Sequence, residues 1–166
     1  GGGDWSYDRV IPDCVKSWSK NIAVKIRNPK STRPWQHVLE AIAGYLIFAI
    51  NLNSNKKLHG EVFNFGPDGK KDYEVINLVK LMRKYWKKVS WKIEKRRNSN
   101  FYESNLLKLN CKKAKKFFGW KTILNFRETA QMVTEWYKNY YLGIENPYKI
   151  SIKQIKRYEQ LLKKRL

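Results

Sequence analysis

The sequence predicts an α/β fold, rich in helix and carrying only a few short strands. Segments with helical apolar spacing alternate along the chain with short runs of strand-like alternation. The 166 residues are 42% hydrophobic and include 7 Trp, 10 Tyr and 7 Phe, enough to bury a sizeable core and to exclude disorder for the body of the chain. About three short strands make a sheet too small to stand by itself, so these elements are expected to belong to a larger body. The opening Gly1-Gly2-Gly3-Asp4, with no Met and no strand before it, reads the same way.

The elements follow in order. Residues 10–19 form a short helix, with Pro12 in its first turn and Ile11, Val15 and Trp18 on one face. Residues 22–27 alternate apolar and basic side chains and read as a strand. A polar loop with Pro29 spans 28–33, and Pro34 follows it. Residues 37–51 read as a buried core helix. The apolar run from Val38 to Leu52 contains Glu40 and Gly44 and is shorter than a bilayer span. After a polar loop at 53–57, residues 61–65 read as a second strand, stopped by the turn Gly66-Pro67-Asp68-Gly69. Residues 73–86 form an amphipathic helix with Val75, Leu78, Val79 and Met82 on one face. A third strand is expected over 89–94, and 95–105 is polar and irregular.

Asn110 can cap a short helix over 111–118, which Gly119 stops. Asn125 and Glu128 have capping-box spacing and open a helix whose stripe holds Thr129, Met132, Val133, Trp136, Tyr137 and Tyr140. A last helix over 151–165 sets Ile152, Ile155 and Leu162 against a basic face. Two regions are expected, 1–148 and a basic terminal helix at 149–166.

The formal charge is +21, from 35 basic and 14 acidic residues. Such a charge raises the question of a polyanionic partner. It is spread along the chain rather than clustered, and with the many Asn and Ile it reads as a general composition bias. No recognised nucleic-acid motif appears and the aromatic residues fall on core stripes, which argues against a basic nucleic-acid-binding module. Cys14 and Cys111 are far apart and read as free thiols of a reducing, cytoplasmic compartment. With two Cys and two His (His37, His59), no metal-ligand spacing is legible. No signal peptide or membrane span is evident.

No nucleophile triad can be assembled, and no Gly-x-Gly-x-x-Gly follows a strand. What remains are residues suited to an anionic ligand. Arg33 lies between a strand and a helix, beside Pro34 and Trp35. Its planar guanidinium can donate two parallel hydrogen bonds to a phosphate. On composition alone a surface ion pair is the better explanation of a lone Arg. Arg9, between Asp8 and the helix at Val10, carries the same ambiguity. Asp4 and Glu103 stand in polar loops, where lone acids are mostly solvated.

Taken in series, several segments resemble one family. These are Gly1-Gly2-Gly3-Asp4-Trp5, Asp8-Arg9-Val10-Ile11-Pro12-Asp13, Ile26-Arg27-Asn28-Pro29 and above all Arg33-Pro34-Trp35-Gln36-His37-Val38-Leu39-Glu40 with Gly44-Tyr45-Leu46. Phe63-Asn64-Phe65-Gly66-Pro67, Leu109-Asn110 with Lys113-Ala114, Gly119-Trp120 and Trp136-Tyr137 continue the series. The pattern resembles the C-terminal half of the CDP-glucose 4,6-dehydratases, which are extended short-chain dehydrogenase/reductases. Related enzymes usually read Arg-Asp-Trp or Arg-Asp-Tyr where this chain reads Arg33-Pro34-Trp35. An epimerase or decarboxylase of the same superfamily is the nearest alternative.

The resemblance implies a substrate-binding part that lacks the N-terminal Rossmann core. Arg33 would hold the diphosphate of CDP-glucose, at roughly 1.5–3 kcal/mol for each charge-assisted bond. Arg9 would lie near the phosphates or the sugar, with Val10 contributing its backbone. Ile26 would pack near the cytosine, Asp4 would shape the loop beside the sugar, and Glu103 would sit in a loop closing over the nucleotide. Tyr102, Ser104 and Asn110 depart from the family's usual His, Ala and Asp. The full-length parent would bind NAD, form a homodimer and convert CDP-glucose to CDP-4-keto-6-deoxyglucose for deoxysugar and O-antigen synthesis. None of the 10 Tyr residues has Lys four positions on, so the family's Tyr-x-x-x-Lys motif is missing from these residues. The piece alone is expected to bind no NAD, to be catalytically inactive, and to expose apolar surface meant for the Rossmann domain.

Overall fold

Helix α1 (Val10–Ser19) buries Pro12, Cys14, Val15 and Trp18, the face that its sequence spacing marks. A computed structural model describes residues 1–67, 71–87, 89–94 and 106–165. After α1 the chain turns at Asn21, whose φ of 57° is in the left-handed region that Asn tolerates. The expected strand 22–27 is therefore shorter: Ile22 is exposed, and β1 covers only Val24–Ile26, with Val24 and Ile26 facing the core.

β1 pairs in parallel with β2 (Trp91–Ile93), Val24 opposite Trp91 and Ile26 opposite Ile93. A parallel pair needs a long crossover. Here it contains α2 (Val38–Ser54), a 3-10 turn at Lys56–Leu58, and α3 (Val75–Tyr85). Val75, Leu78, Val79 and Met82 of α3 are all buried, as the 73–86 pattern requires. They pack on α5 (Phe126–Tyr141), which also touches α1 and α6 (Pro147–Arg165). The principal core thus lies between α1, α3, α5 and the two strands.

The α5 capping box is complete. Asn125 Oδ1 accepts from Glu128 N and Glu128 Oε2 accepts from Asn125 N, both at 2.9 Å. Thr129, Met132, Val133, Trp136 and Tyr137 are buried, while Tyr140 at the stripe's end is partly exposed. Helix α4 (Lys112–Phe118) also ends as expected, with Gly119 left-handed at φ 62°. Helix α6 begins four residues before the expected 151, because Pro147 suits a first helical position and Asn146 Oδ1 accepts from Tyr148 N. Its buried side holds Ile150 and Tyr158. Ile155, expected on the apolar face, is instead exposed.

Two expectations are overturned. Residues 61–65 form no strand. No neighbouring strand among the described residues offers the pairing that β structure needs. Phe63 and Phe65 instead join Phe48, Phe118 and Trp120 in an aromatic cluster. The helix expected to be a buried core element is not buried: in α2 only Glu40 and Gly44 are, whereas Tyr45, Leu46 and Ile50 are 62%, 60% and 71% exposed. Its apolarity marks a wish for burial, which these residues do not supply. Gly44 is the point of contact, since a Cβ there would fall 2.5 Å from Phe65 Cδ1.

Glu40, on the inner side of α2, ties three elements together. Its Oε1 accepts from Ile123 N at 2.9 Å and Leu124 N at 2.6 Å, and its Oε2 accepts from Tyr158 Oη at 3.0 Å. Burial raises its carboxyl above the usual range, and these donors pull the other way. Among the described residues no helix is long and apolar enough to cross a membrane.

Candidate functional site

The loop bearing Arg33 is stitched to the start of α3. Val75 N donates to Ser31 O at 2.9 Å, Ile76 N donates to Pro29 O at 3.0 Å, and Thr32 bridges Glu74 in antiparallel fashion. The neighbours of Arg33 are committed to holding this loop. Trp35 Nε1 donates to Tyr73 O at 2.9 Å, Gln36 Nε2 donates to Phe65 O at 2.8 Å, and His37 Nδ1 accepts from Leu39 N to cap α2. Arg33 itself gives Nη1 to Thr32 O at 2.8 Å and projects beside two cavities.

The smaller cavity, about 390 Å3, is lined by Asp4, Arg9, Val10, Ile26 and Arg33 together. Five of the six residues singled out in the sequence therefore converge from three separate segments. Glu103, like Tyr102 and Ser104, lies outside the described residues. Asp4 is fixed by Tyr137, whose hydroxyl accepts from Asp4 N at 2.9 Å and donates to Asp4 O at 2.7 Å. The glycines before it allow this approach, because a Cβ on Gly2 would lie 1.8 Å from the Trp136 ring. The Asp4 carboxylate accepts from Ser6 N, which with Ser6's side chain and Arg9 lowers its pKa.

Arg9 pairs with Asp4 at 3.3 Å, but its side chain is 68% exposed, so the pair holds Arg9 weakly and an anionic ligand can redirect it. Val10 opens α1, and its N–H is one of the four that helix geometry leaves without an intrahelical acceptor. Ile26 is buried and gives the cavity an apolar wall with Val24 and Val75. The arrangement offers guanidinium groups for phosphate and an apolar side for a base or sugar face.

Over 144 residues, 86% of its length, the chain is 38% identical to the CDP-glucose 4,6-dehydratase of Salmonella typhimurium. This chain resembles part of a CDP-glucose 4,6-dehydratase. It spans 40% of that relative's length. No protein-family model matches it.

The sequence assigned no role to other residues at the cavities. Arg27 lines the smaller cavity and pairs with Asp8 at 3.1 Å, and Asp13 lies beside them with its carboxyl raised by burial and by Asp8. A larger cavity of about 780 Å3 lies on the other side of Arg33 and Trp35. Its wall includes Tyr73 stacked on Phe126 at 3.8 Å. Residues 33, 71, 108–112 and 115 meet there, and nothing in their sequence spacing announces it. Cys14 and Cys111 are both free thiols, and burial pushes the Cys14 thiol far up, which leaves it inert. Among the described residues no group of three or more His, Cys, Asp and Glu could hold a metal.

Proposed function

We propose that this chain is the sugar-nucleotide-binding C-terminal part of an enzyme of the CDP-glucose 4,6-dehydratase kind, within the extended short-chain dehydrogenase/reductase superfamily. The observation that carries the reading is the convergence of Asp4, Arg9, Val10, Ile26 and Arg33 on one cavity, in a chain 38% identical to such a dehydratase. Arg33 binds the diphosphate, supported by Arg9, and the Val10 N–H is offered at the end of α1. Ile26 packs on the cytosine, and Asp4 shapes the sugar side.

NAD does not fit these residues. Among the described residues neither strand leads into a glycine-rich turn at a helix N-terminus, and residues 95–105 after β2 contain no Gly. NAD and the proton-transfer groups belong to other parts of the full-length dehydratase, and the 166 residues alone are inactive. The parent is a cytoplasmic homodimer, and α2 packs against its Rossmann domain.

The test is competition. CDP-glucose should displace a bound fluorescent cytidine nucleotide from the full-length protein at lower concentration than UDP-glucose or dTDP-glucose does. Equal displacement by all three would move the assignment to another nucleotide-sugar epimerase or dehydratase.

A further inference from the structure

Helix α6 turns a lysine face away from the protein. Ile150 and Tyr158 are buried on its inner side, and both of its arginines reach carboxylates of α5: Arg157 pairs with Glu135 at 3.6 Å and Arg165 with Glu128 at 2.7 Å. Lys153 pairs with Glu145 at 2.6 Å. Lys149, Lys156, Lys163 and Lys164 are exposed and form no ion pair among the described residues. The only acid within α6 is Glu159. Lys149, Lys156 and Lys163 recur every seven residues, so they drift by about 40° around the axis and run along about 21 Å of it. Tyr148 and Ile155 share that spacing on one flank of the row and are exposed, with partly buried Ile152 between them. Leu142 and Ile144, in the turn before the helix, are exposed as well. Lysine stems can hold their charge at lipid phosphates while apolar neighbours enter the head-group boundary. A polyanionic polymer would engage the lysines and leave the apolar flank in water.

We propose that the outer face of α6 is a docking surface for an anionic phospholipid bilayer, with Lys149, Lys156, Lys163 and Lys164 at the lipid phosphates and Tyr148 at the head-group boundary. The surface is independent of the sugar-nucleotide reading, since none of these residues lines either cavity. Each lysine near an anionic leaflet strengthens attachment by about fivefold, and the attraction fades as salt shortens the screening length. Attachment is peripheral, because the inner side of α6 stays packed on α5.

The experiment is sedimentation of the full-length protein with vesicles of equal parts phosphatidylglycerol and phosphatidylcholine, and with vesicles of phosphatidylcholine alone. Wild type is compared with Lys149→Gln/Lys156→Gln/Lys163→Gln, with Lys149→Arg/Lys156→Arg/Lys163→Arg, and with Lys20→Gln/Lys57→Gln/Lys80→Gln. The last variant removes the same charge from exposed positions on other elements. The expected result is binding to the anionic vesicles that the α6 glutamine variant weakens about tenfold or more. The arginine variant and the distant glutamine variant should bind nearly as wild type does. Tyr148→Ala should weaken binding without changing its dependence on salt. Equal binding to both kinds of vesicle, or none to either, overturns the surface. Equal weakening by the two glutamine variants overturns it as well, since it shows diffuse attraction to net charge, and so does loss of binding in the arginine variant. Tighter binding to a DNA duplex than to anionic vesicles, lost in the α6 glutamine variant, assigns the face to nucleic acid and overturns the bilayer. Binding unaffected by Tyr148→Ala overturns the apolar contact.

Discussion

Replacing Glu40 with alanine removes three hydrogen bonds from the interior at once. The Ile123 and Leu124 amides, which donate to Oε1 at 2.9 and 2.6 Å, lose their acceptor in a buried setting. Leaving a buried donor unsatisfied costs about 1–3 kcal/mol, and losing the Tyr158 hydroxyl contact about 1 kcal/mol more. Against this, a carboxylate whose pKa is raised by burial no longer has to be desolvated. The balance is a loss of about 3–4 kcal/mol, or roughly 10 °C in Tm for a chain of this size. Glu40→Gln is the informative partner. Its amide oxygen can accept from both backbone N–H groups and its amide nitrogen can donate to the Tyr158 oxygen, so its cost is about 1 kcal/mol or less. Urea denaturation followed by circular dichroism measures both. A Glu40→Ala loss below about 1 kcal/mol, or equal losses for the two variants, would refute the argument that these three bonds hold α2, the 123–124 segment and α6 together.

Asn125→Ala breaks the α5 capping box and should cost about 1 kcal/mol in the same assay, with Glu128→Ala costing at least as much because Arg165 also donates to that carboxylate. Gly2→Ala should displace the Trp136 ring, visible as shifted tryptophan emission and a loss of about 1–3 kcal/mol. His37 supplies a pH dependence. Burial holds its pKa down to about 3 from an ordinary 6.5, so between those values the unfolded chain binds the extra proton and stability falls as pH drops. Glu40, raised by burial, has the opposite sign and gains stability as pH falls through its raised pKa. His37→Gln should therefore flatten the loss of stability between pH 6.5 and 4, and an unchanged slope would show that His37 is not its source.

The helices were legible where one face meets a core within these residues. Val75, Leu78, Val79 and Met82 of α3 and the Asn125–Glu128 box of α5 needed no knowledge beyond periodicity and capping. The α2 expectation failed because hydropathy tells how apolar a helix is, not which body covers it: Leu46 and Ile50 are as apolar as core residues and are exposed here. Residues 61–65 failed for a related reason, since a strand exists only with a partner strand. The smaller cavity was legible because the resemblance marked Asp4, Arg9, Val10, Ile26 and Arg33 together. The larger was not, because Lys71, Lys112 and Lys115 look in sequence like any other lysines of a chain carrying +21.

On the proposed reading, Arg33 in the smaller cavity holds the diphosphate of a sugar nucleotide. Titration of CDP-glucose into the full-length protein, wild type against Arg33→Ala, tests it most directly. Loss of a charge-assisted contact worth about 1.5–3 kcal/mol predicts an affinity lowered by roughly 10- to 150-fold. A Kd unchanged by Arg33→Ala, in a variant whose circular dichroism matches wild type, would contradict the account.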